Sequence, residues 1–310
     1  MLFQIINIIA PVFIVIGAGY FAIRSNLFAD NLIDGLMKYA IHFAVPCLLF
    51  RATANLDLKE AYDWSMMSAF YLAAAISFSL TGYLAFTLFK RHPGESVSIG
   101  FGALFSNSVL IGLPLSERAW GGENLDPVYA IISVHAPFCY LLGITSMEIL
   151  RSDGRSWAST SHVVVKAMFR NSLMIGIGLG FLVNFSGLMM PDVLNSTVDM
   201  VSASALPVAL FGLGGVLTRY KLADSIGEIS LVSTSKLFVH PALTYLFCWI
   251  LKVPMDITRA AVLIAAMAPG MNSYLFACMY QRGQNIAASA VVMATTLSIF
   301  TVSLWLWILS

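Results

Sequence analysis

The sequence predicts an all-α polytopic membrane protein, with ten transmembrane helices in two inverted five-helix repeats and with helices four and nine broken and crossing. Three observations lead there. Of the 310 residues, 59% are hydrophobic and only 11% charged, against about 25% charged in soluble globular chains. Apolar runs of about 18–25 residues recur along the chain, each long enough to cross a hydrocarbon layer. Two Gly/Pro motifs recur at a single offset, and two of the runs carry proline and polar residues at matching depth.

The spans fall at about 3–22, 35–52, 64–89, 97–118, 128–149, 168–186, 197–218, 229–251, 258–280 and 286–309. The first has no positive residue before its apolar core and continues to Arg24, which reads as a retained anchor rather than a signal peptide. Residues 1–150 form the N-terminal repeat, 151–167 a polar cytoplasmic linker and 168–310 the C-terminal repeat. A net charge of +1 removes nucleic acid from the partners. Cys47, Cys139, Cys248 and Cys278 lie in apolar runs without paired spacing and read as core residues, not metal ligands.

Lysine and arginine set the orientation. With the first residue outside, Arg24, Lys90, Arg91, Arg151, Arg155, Lys166, Arg170, Arg219, Lys221 and Arg282 fall inside, and Arg51, Lys59, Arg118, Lys252 and Arg259 outside. Ten against five puts both termini outside and the central loop in the cytoplasm, in the plasma (inner) membrane. Asn184 and Asn195 begin Asn-x-Ser/Thr sequons.

The repeat is carried by two motifs. Ile16-Gly17-Ala18-Gly19-Tyr20 matches Ile177-Gly178-Leu179-Gly180-Phe181, and Ala44-Val45-Pro46-Cys47-Leu48-Leu49-Phe50 matches Ala205-Leu206-Pro207-Val208-Ala209-Leu210-Phe211, both 161 residues apart. An odd number of spans per repeat inverts the second copy, the plan of many secondary transporters. Pro46 and Pro207 are expected to interrupt their helices.

Span four reads Phe105-Ser106-Asn107-Ser108-Val109-Leu110-Ile111-Gly112-Leu113-Pro114-Leu115. Pro114 is expected to break it near Leu110. A break inside hydrocarbon is tolerated only where it is buried or lines a cavity. The offset carries Asn107-Ser108 to Ala268-Pro269, and span nine continues Gly270-Met271-Asn272-Ser273. Two such helices crossing at mid-membrane gather half-helix N-termini and amides around one point, which suits an anion.

At these residues the chain resembles the auxin efflux carrier family, on its bacterial malonate-permease-like side. Phe43-Ala44-Val45-Pro46, Asn107 through Pro114 and Gly270 to Ala277 carry the resemblance, which covers essentially the whole chain. It implies scaffold helices one, two, six and seven, transport helices three to five and eight to ten, and an elevator-like movement of an organic anion. A homodimer through the scaffold is implied too. The substrate would meet Ser106, Asn107, Ser108, Pro269, Gly270, Asn272 and Ser273, with Val45 and Leu206 from the scaffold. Ser106 stands where the plant carriers have proline, Ala268 where the crossover proline usually sits, and span three lacks their acidic and basic residues. The large regulatory loop of many plant members is absent.

His135, inside span five, is the candidate for carrying a coupling proton or pairing with a substrate carboxylate, or alternatively a neutral core histidine. His42 and His240, near Pro46 and Pro241, read as structural. Lys38 and Lys236 are expected to snorkel to the interface, with a substrate role as the lesser alternative. No cofactor is called for; proton coupling is one option, and sodium held by carbonyls and Asn107 another. The leading reading is a secondary transporter of a small carboxylate such as malonate or an auxin-like acid. The alternative is a sodium-coupled symporter of the bile-acid type. A channel is more distant. So is an intramembrane enzyme, since no zinc-protease, nucleophile-elbow or P-loop motif is present.

Overall fold

The computed structural model describes residues 2–122, 125–151, 172–219 and 225–310. Their regular structure is helical, with no strand among the described residues; one isolated antiparallel bridge joins Ser106 to Pro269. The central linker beyond Arg151, with Arg155, Lys166 and Arg170, and Lys221 after the seventh span, lie outside the described residues.

Six helical stretches are long and apolar enough to cross a membrane: Phe3–Arg24, Asn31–Ala54, Trp64–Thr87, Asp126–Ile149, Asp192–Leu217 and Gln284–Ile308. Ser172–Ser186 is a shorter apolar helix. The regions of spans four and nine are interrupted, so no single piece of them reaches spanning length, while that of span eight runs through a π-turn.

The described residues group into two compact units. One gathers those within Ala10–Ala61 and Val165–Arg219. It contains most of α1 (Leu2–Arg24), then α2 (Asp30–Tyr39), α3 (Val45–Ala54) and the short α4 (Leu58–Ala61). It ends with α9 (Ser172–Ser186) and α10 (Asp192–Leu217). Here the repeated glycines act through close approach. A Cβ on Gly19 would overlap the Phe211 carbonyl, and one on Gly180 would overlap Thr53 Oγ1 and the Phe50 carbonyl. Phe211 lies 161 residues after Phe50, as Gly180 does after Gly19, so the same contact occurs twice. Asn184 donates its amide to the Thr53, Ala54 and Leu56 carbonyls at 3.1, 3.1 and 2.8 Å. Its sequon therefore has a local task, closing the C-terminal end of α3.

The other unit gathers the described residues within Met1–Ile9, Tyr62–Val164 and Tyr220–Ser310. It holds α5 (Trp64–Thr87), α6 (Pro93–Leu104), α7 (Leu113–Trp120) and α8 (Asp126–Arg151). Then come α11 (Ile226–Thr234), α12 (His240–Ile250), α13 (Met255–Ala265), α14 (Met271–Tyr280) and α15 (Gln284–Ile308). Asp63 caps α5 by accepting from the Met66 N–H at 2.7 Å. The turns α5–α6 and α12–α13 are built alike. Lys90 and Lys252 take left-handed φ of 53° and 55°, and Pro93 and Pro254 set the following helix starts. Ala85, Ile99, Ile229, Val232, Ile286 and Ala290 form a core cluster joining α5, α6, α11 and α15. At its edge Arg91 pairs with Glu228 and with Glu95.

Three of the sequence's helix-break expectations need correction. Pro46 follows a π-helical turn over Ala40–Ala44, and Pro114 follows one over Ser108–Gly112. Both prolines sit in the first turn of the next α-helix, where a missing N–H costs little. The wider turn absorbs the proline, so the chain continues without breaking. Pro241 repeats the device after Ser235–Val239. The Leu237 carbonyl, four residues before Pro241, instead accepts the Trp305 indole N–H at 2.9 Å. Pro207 lies inside the unbroken α10.

Candidate functional site

The break in span four lies at Phe105–Asn107, earlier than the Leu110 expected from Pro114. Helix α6 ends at Leu104, and Phe105 turns extended with φ −84° and ψ 103°. In span nine α13 ends at Ala265 and α14 resumes at Met271, with Ala268 to Gly270 between. The two gaps meet. The Asn107 N–H donates to the Ala268 carbonyl at 2.9 Å, and the Gly270 N–H to the Phe105 carbonyl at 3.0 Å. Asn107 and Ala268 are the pair related by the 161-residue offset. Each break thus supplies backbone partners to the other, which removes most of the several-kcal/mol cost of freeing each group in hydrocarbon. Ring stacking of Phe101 on Phe276, centroids 3.9 Å apart, locks α6 against α14 beside the crossing.

Four side chains attach to this point. The Ser106 N–H donates to His135 Nε2 at 3.0 Å, so His135 carries its neutral-ring proton on Nδ1. Lys236 Nζ donates to Ser106 Oγ at 2.5 Å and to His240 Nδ1 at 2.7 Å. Tyr140 donates its hydroxyl to Asn272 Oδ1 at 3.3 Å. Ser106, His135, Lys236 and His240 are all at most 1% exposed. Lys236 is the residue that sequence reasoning misplaced: it does not snorkel but ends on the crossover. Its i,i+4 spacing to His240 on a span bearing Pro241 was the available signal.

The half-helices starting at Ser108 and Met271 place their first N–H groups, which have no intrahelical acceptor, toward the crossing. Asn107 Nδ2 and Ser273 Oγ are buried and have no hydrogen-bond partner. Such groups cost about 1–3 kcal/mol each if left unpaired. Ser108 is buried in the π-turn, and Pro269 and Gly270 lie in the gap of span nine, where Pro269 bridges to Ser106. The structure therefore brings together Ser106, Asn107, Ser108, Pro269, Gly270, Asn272, Ser273 and His135. Val45 and Leu206 belong to the other unit, Val45 fully buried and Leu206 half-buried. Among the described residues no cluster of His, Cys, Asp and Glu could hold a metal ion.

Residues 4–306 match the membrane transport protein family, to which auxin efflux carriers belong. The chain is a member of this family. It is 22% identical over 301 residues to a candidate malonate transporter of Rhizobium meliloti, covering 97% of this chain and 94% of the relative. An uncharacterized transporter of Methanothermobacter thermautotrophicus is 23% identical over 301 residues, covering 96% of each. Auxin efflux carrier component 8 of Arabidopsis thaliana is 19% identical over 356 residues, covering 97% and 96%. The chain is thus a membrane transporter, from a family of transport proteins rather than enzymes.

Proposed function

We propose that this transporter is a secondary active carrier of a small organic anion, a carboxylate such as malonate or an auxin-like acid, working by elevator-type alternating access. One observation carries the reading. Two interrupted helices are bridged back to back at Ser106–Pro269, and Asn107 Nδ2 and Ser273 Oγ beside the bridge are buried without partners. Hydroxyl, amide and helix N-termini together make a donor-rich point suited to a carboxylate. The malonate and auxin relatives are named for such acids.

The ten-span inverted repeat is supported by the doubled Gly19–Phe211 and Gly180–Phe50 contact. It is supported too by the like-built turns at Lys90 and Lys252. In this reading the unit around α1–α3, α9 and α10 is the scaffold, through which a homodimer forms. The unit holding the crossover is the moving body. The protein sits in the plasma (inner) membrane with both termini outside. His135 senses the proton: protonating Nε2 turns the acceptor of the Ser106 N–H into a donor and opens that bond.

The test is counterflow in proteoliposomes loaded with unlabelled malonate, acetate or indole-3-acetate. Transient accumulation of the labelled acid against its gradient is expected. Uptake without counterflow would indicate a channel and overturn the carrier reading.

A further inference from the structure

Lys236 is fully buried, on the π-turn between α11 and α12. An ammonium has three donors and no acceptor. Its hydrogen-bond partners, Ser106 Oγ and His240 Nδ1, are uncharged. Near it lie His240 at the start of α12, His135 and Cys139 on α8, and Phe70 and Tyr71 on α5, which pack around the two histidine rings. None is a carboxylate, and among the described residues Lys236 joins no ion pair. Another buried charge on the same span, Glu228 of α11, is by contrast paired with Arg91.

An unpaired ammonium at membrane depth is costly, and such groups persist where function supplies the partner. Further donors lie at the crossing: the unpartnered Asn107 Nδ2, the unpartnered Ser273 hydroxyl, which can donate, and two half-helix N-termini. A second cation there would meet like charge. A carboxylate would complete the site.

We infer that Lys236 is the resident counter-charge for the transported anion, delivered to the crossover through Ser106, and that the carrier therefore binds its carboxylate without sodium. Ser106 fits this role because it offers two attachment points, its N–H to His135 and its hydroxyl to Lys236. The inference rests on the anion reading proposed above and adds the residue that supplies the charge.

The experiment compares binding of malonate, acetate and indole-3-acetate with their neutral amides, on purified full-length protein. The parent is expected to prefer carboxylate over amide, with equal affinity in sodium chloride and choline chloride. In Lys236→Met the carboxylate affinity should fall about 10- to 150-fold, and the carboxylate-over-amide preference should collapse toward one. Merely loosened packing would weaken acid and amide alike and leave that ratio standing, which would overturn the inference. So would carboxylate binding in Lys236→Met within about twofold of the parent while Asn107→Ala abolishes it, and there the anion reading survives. If Lys236→Met does not stay monodisperse, the parent decides: a sodium requirement above about threefold overturns the resident-cation assignment. A parent that binds none of the three acids removes the anion reading and this inference together.

Discussion

The Ser106 N–H and hydroxyl tie His135 and Lys236 to the same backbone position, and Asn107 beside them keeps a buried amide without a partner. That contrast makes Asn107 testable. Asn107→Ala deletes donors that bond nothing in the free protein, so the fold should keep or slightly raise its unfolding temperature. Substrate affinity should fall about 10- to 150-fold, the loss of a hydrogen bond to a charged partner. Asn272→Ala should lose affinity from the opposite break, while also freeing the Tyr140 hydroxyl. Leu104→Ala controls for packing damage. Direct binding on monodisperse protein is the measurement; affinities within twofold of the parent in both asparagine variants would move the site away from the crossover. His135→Gln keeps an acceptor but does not titrate, so any pH dependence of uptake that His135 supplies should flatten. An unchanged profile would leave His135 a structural acceptor only. The asparagines and serines were legible in the sequence because polar residues in an apolar run need a reason. Lys236 was not: whether a lysine near a helix end snorkels depends on whether lipid or protein surrounds it, and that is a tertiary fact.

At the scale of elements, hydropathy located the helices because the bilayer forces every spanning segment to satisfy its own backbone. It could not place the breaks. A proline signals a missing donor, yet at Pro46, Pro114 and Pro241 a π-turn just upstream absorbs it, while the true gap in span four opens at Phe105–Asn107. That gap is stable only because span nine supplies the Ala268 carbonyl and the Gly270 N–H, partners 161 and more residues away. The repeated Ile-Gly-x-Gly motif makes a sharper prediction. Nothing lies within 4 Å of a Cβ on Gly17 or Gly178, whereas Gly19 and Gly180 face backbone carbonyls. Gly17→Ala and Gly178→Ala should therefore be neutral or stabilise by up to about 1 kcal/mol, the helix-propensity gain. Gly19→Ala and Gly180→Ala should destabilise by about 1–3 kcal/mol, because a rigid carbonyl cannot yield as a side chain can. Thermal unfolding in detergent measures all four. Equal effects within each motif would mean that the second glycine is not a packing device, and would remove the doubled contact as support for the inverted repeat.

For the whole molecule, which face of the crossover meets which compartment is set by charge rather than by packing. The lysine and arginine bias of ten against five comes from loops, several of them outside the described residues, so the fold by itself leaves the two faces equivalent. Two exposed positions report on opposite sides. Ser25 follows α1 beside Arg24, on the side rich in positive charge. Met189, 96% exposed, lies between α9 and α10 in a stretch without lysine or arginine. Anionic lipid and the membrane potential both hold positive loops on the cytoplasmic side. A cysteine at Met189 should therefore react with a membrane-impermeant maleimide added to intact cells, and a cysteine at Ser25 only after the membrane is opened. Cys139 and Cys248 are buried, so the background comes from the half-buried Cys47 and Cys278, which are replaced by serine first. Labelling of Ser25→Cys from outside, with Met189→Cys protected, would place both termini in the cytoplasm. The half-helix entered from α6 would then face the opposite compartment, while the direction of net transport would still follow the gradients of the anion and of any coupling ion.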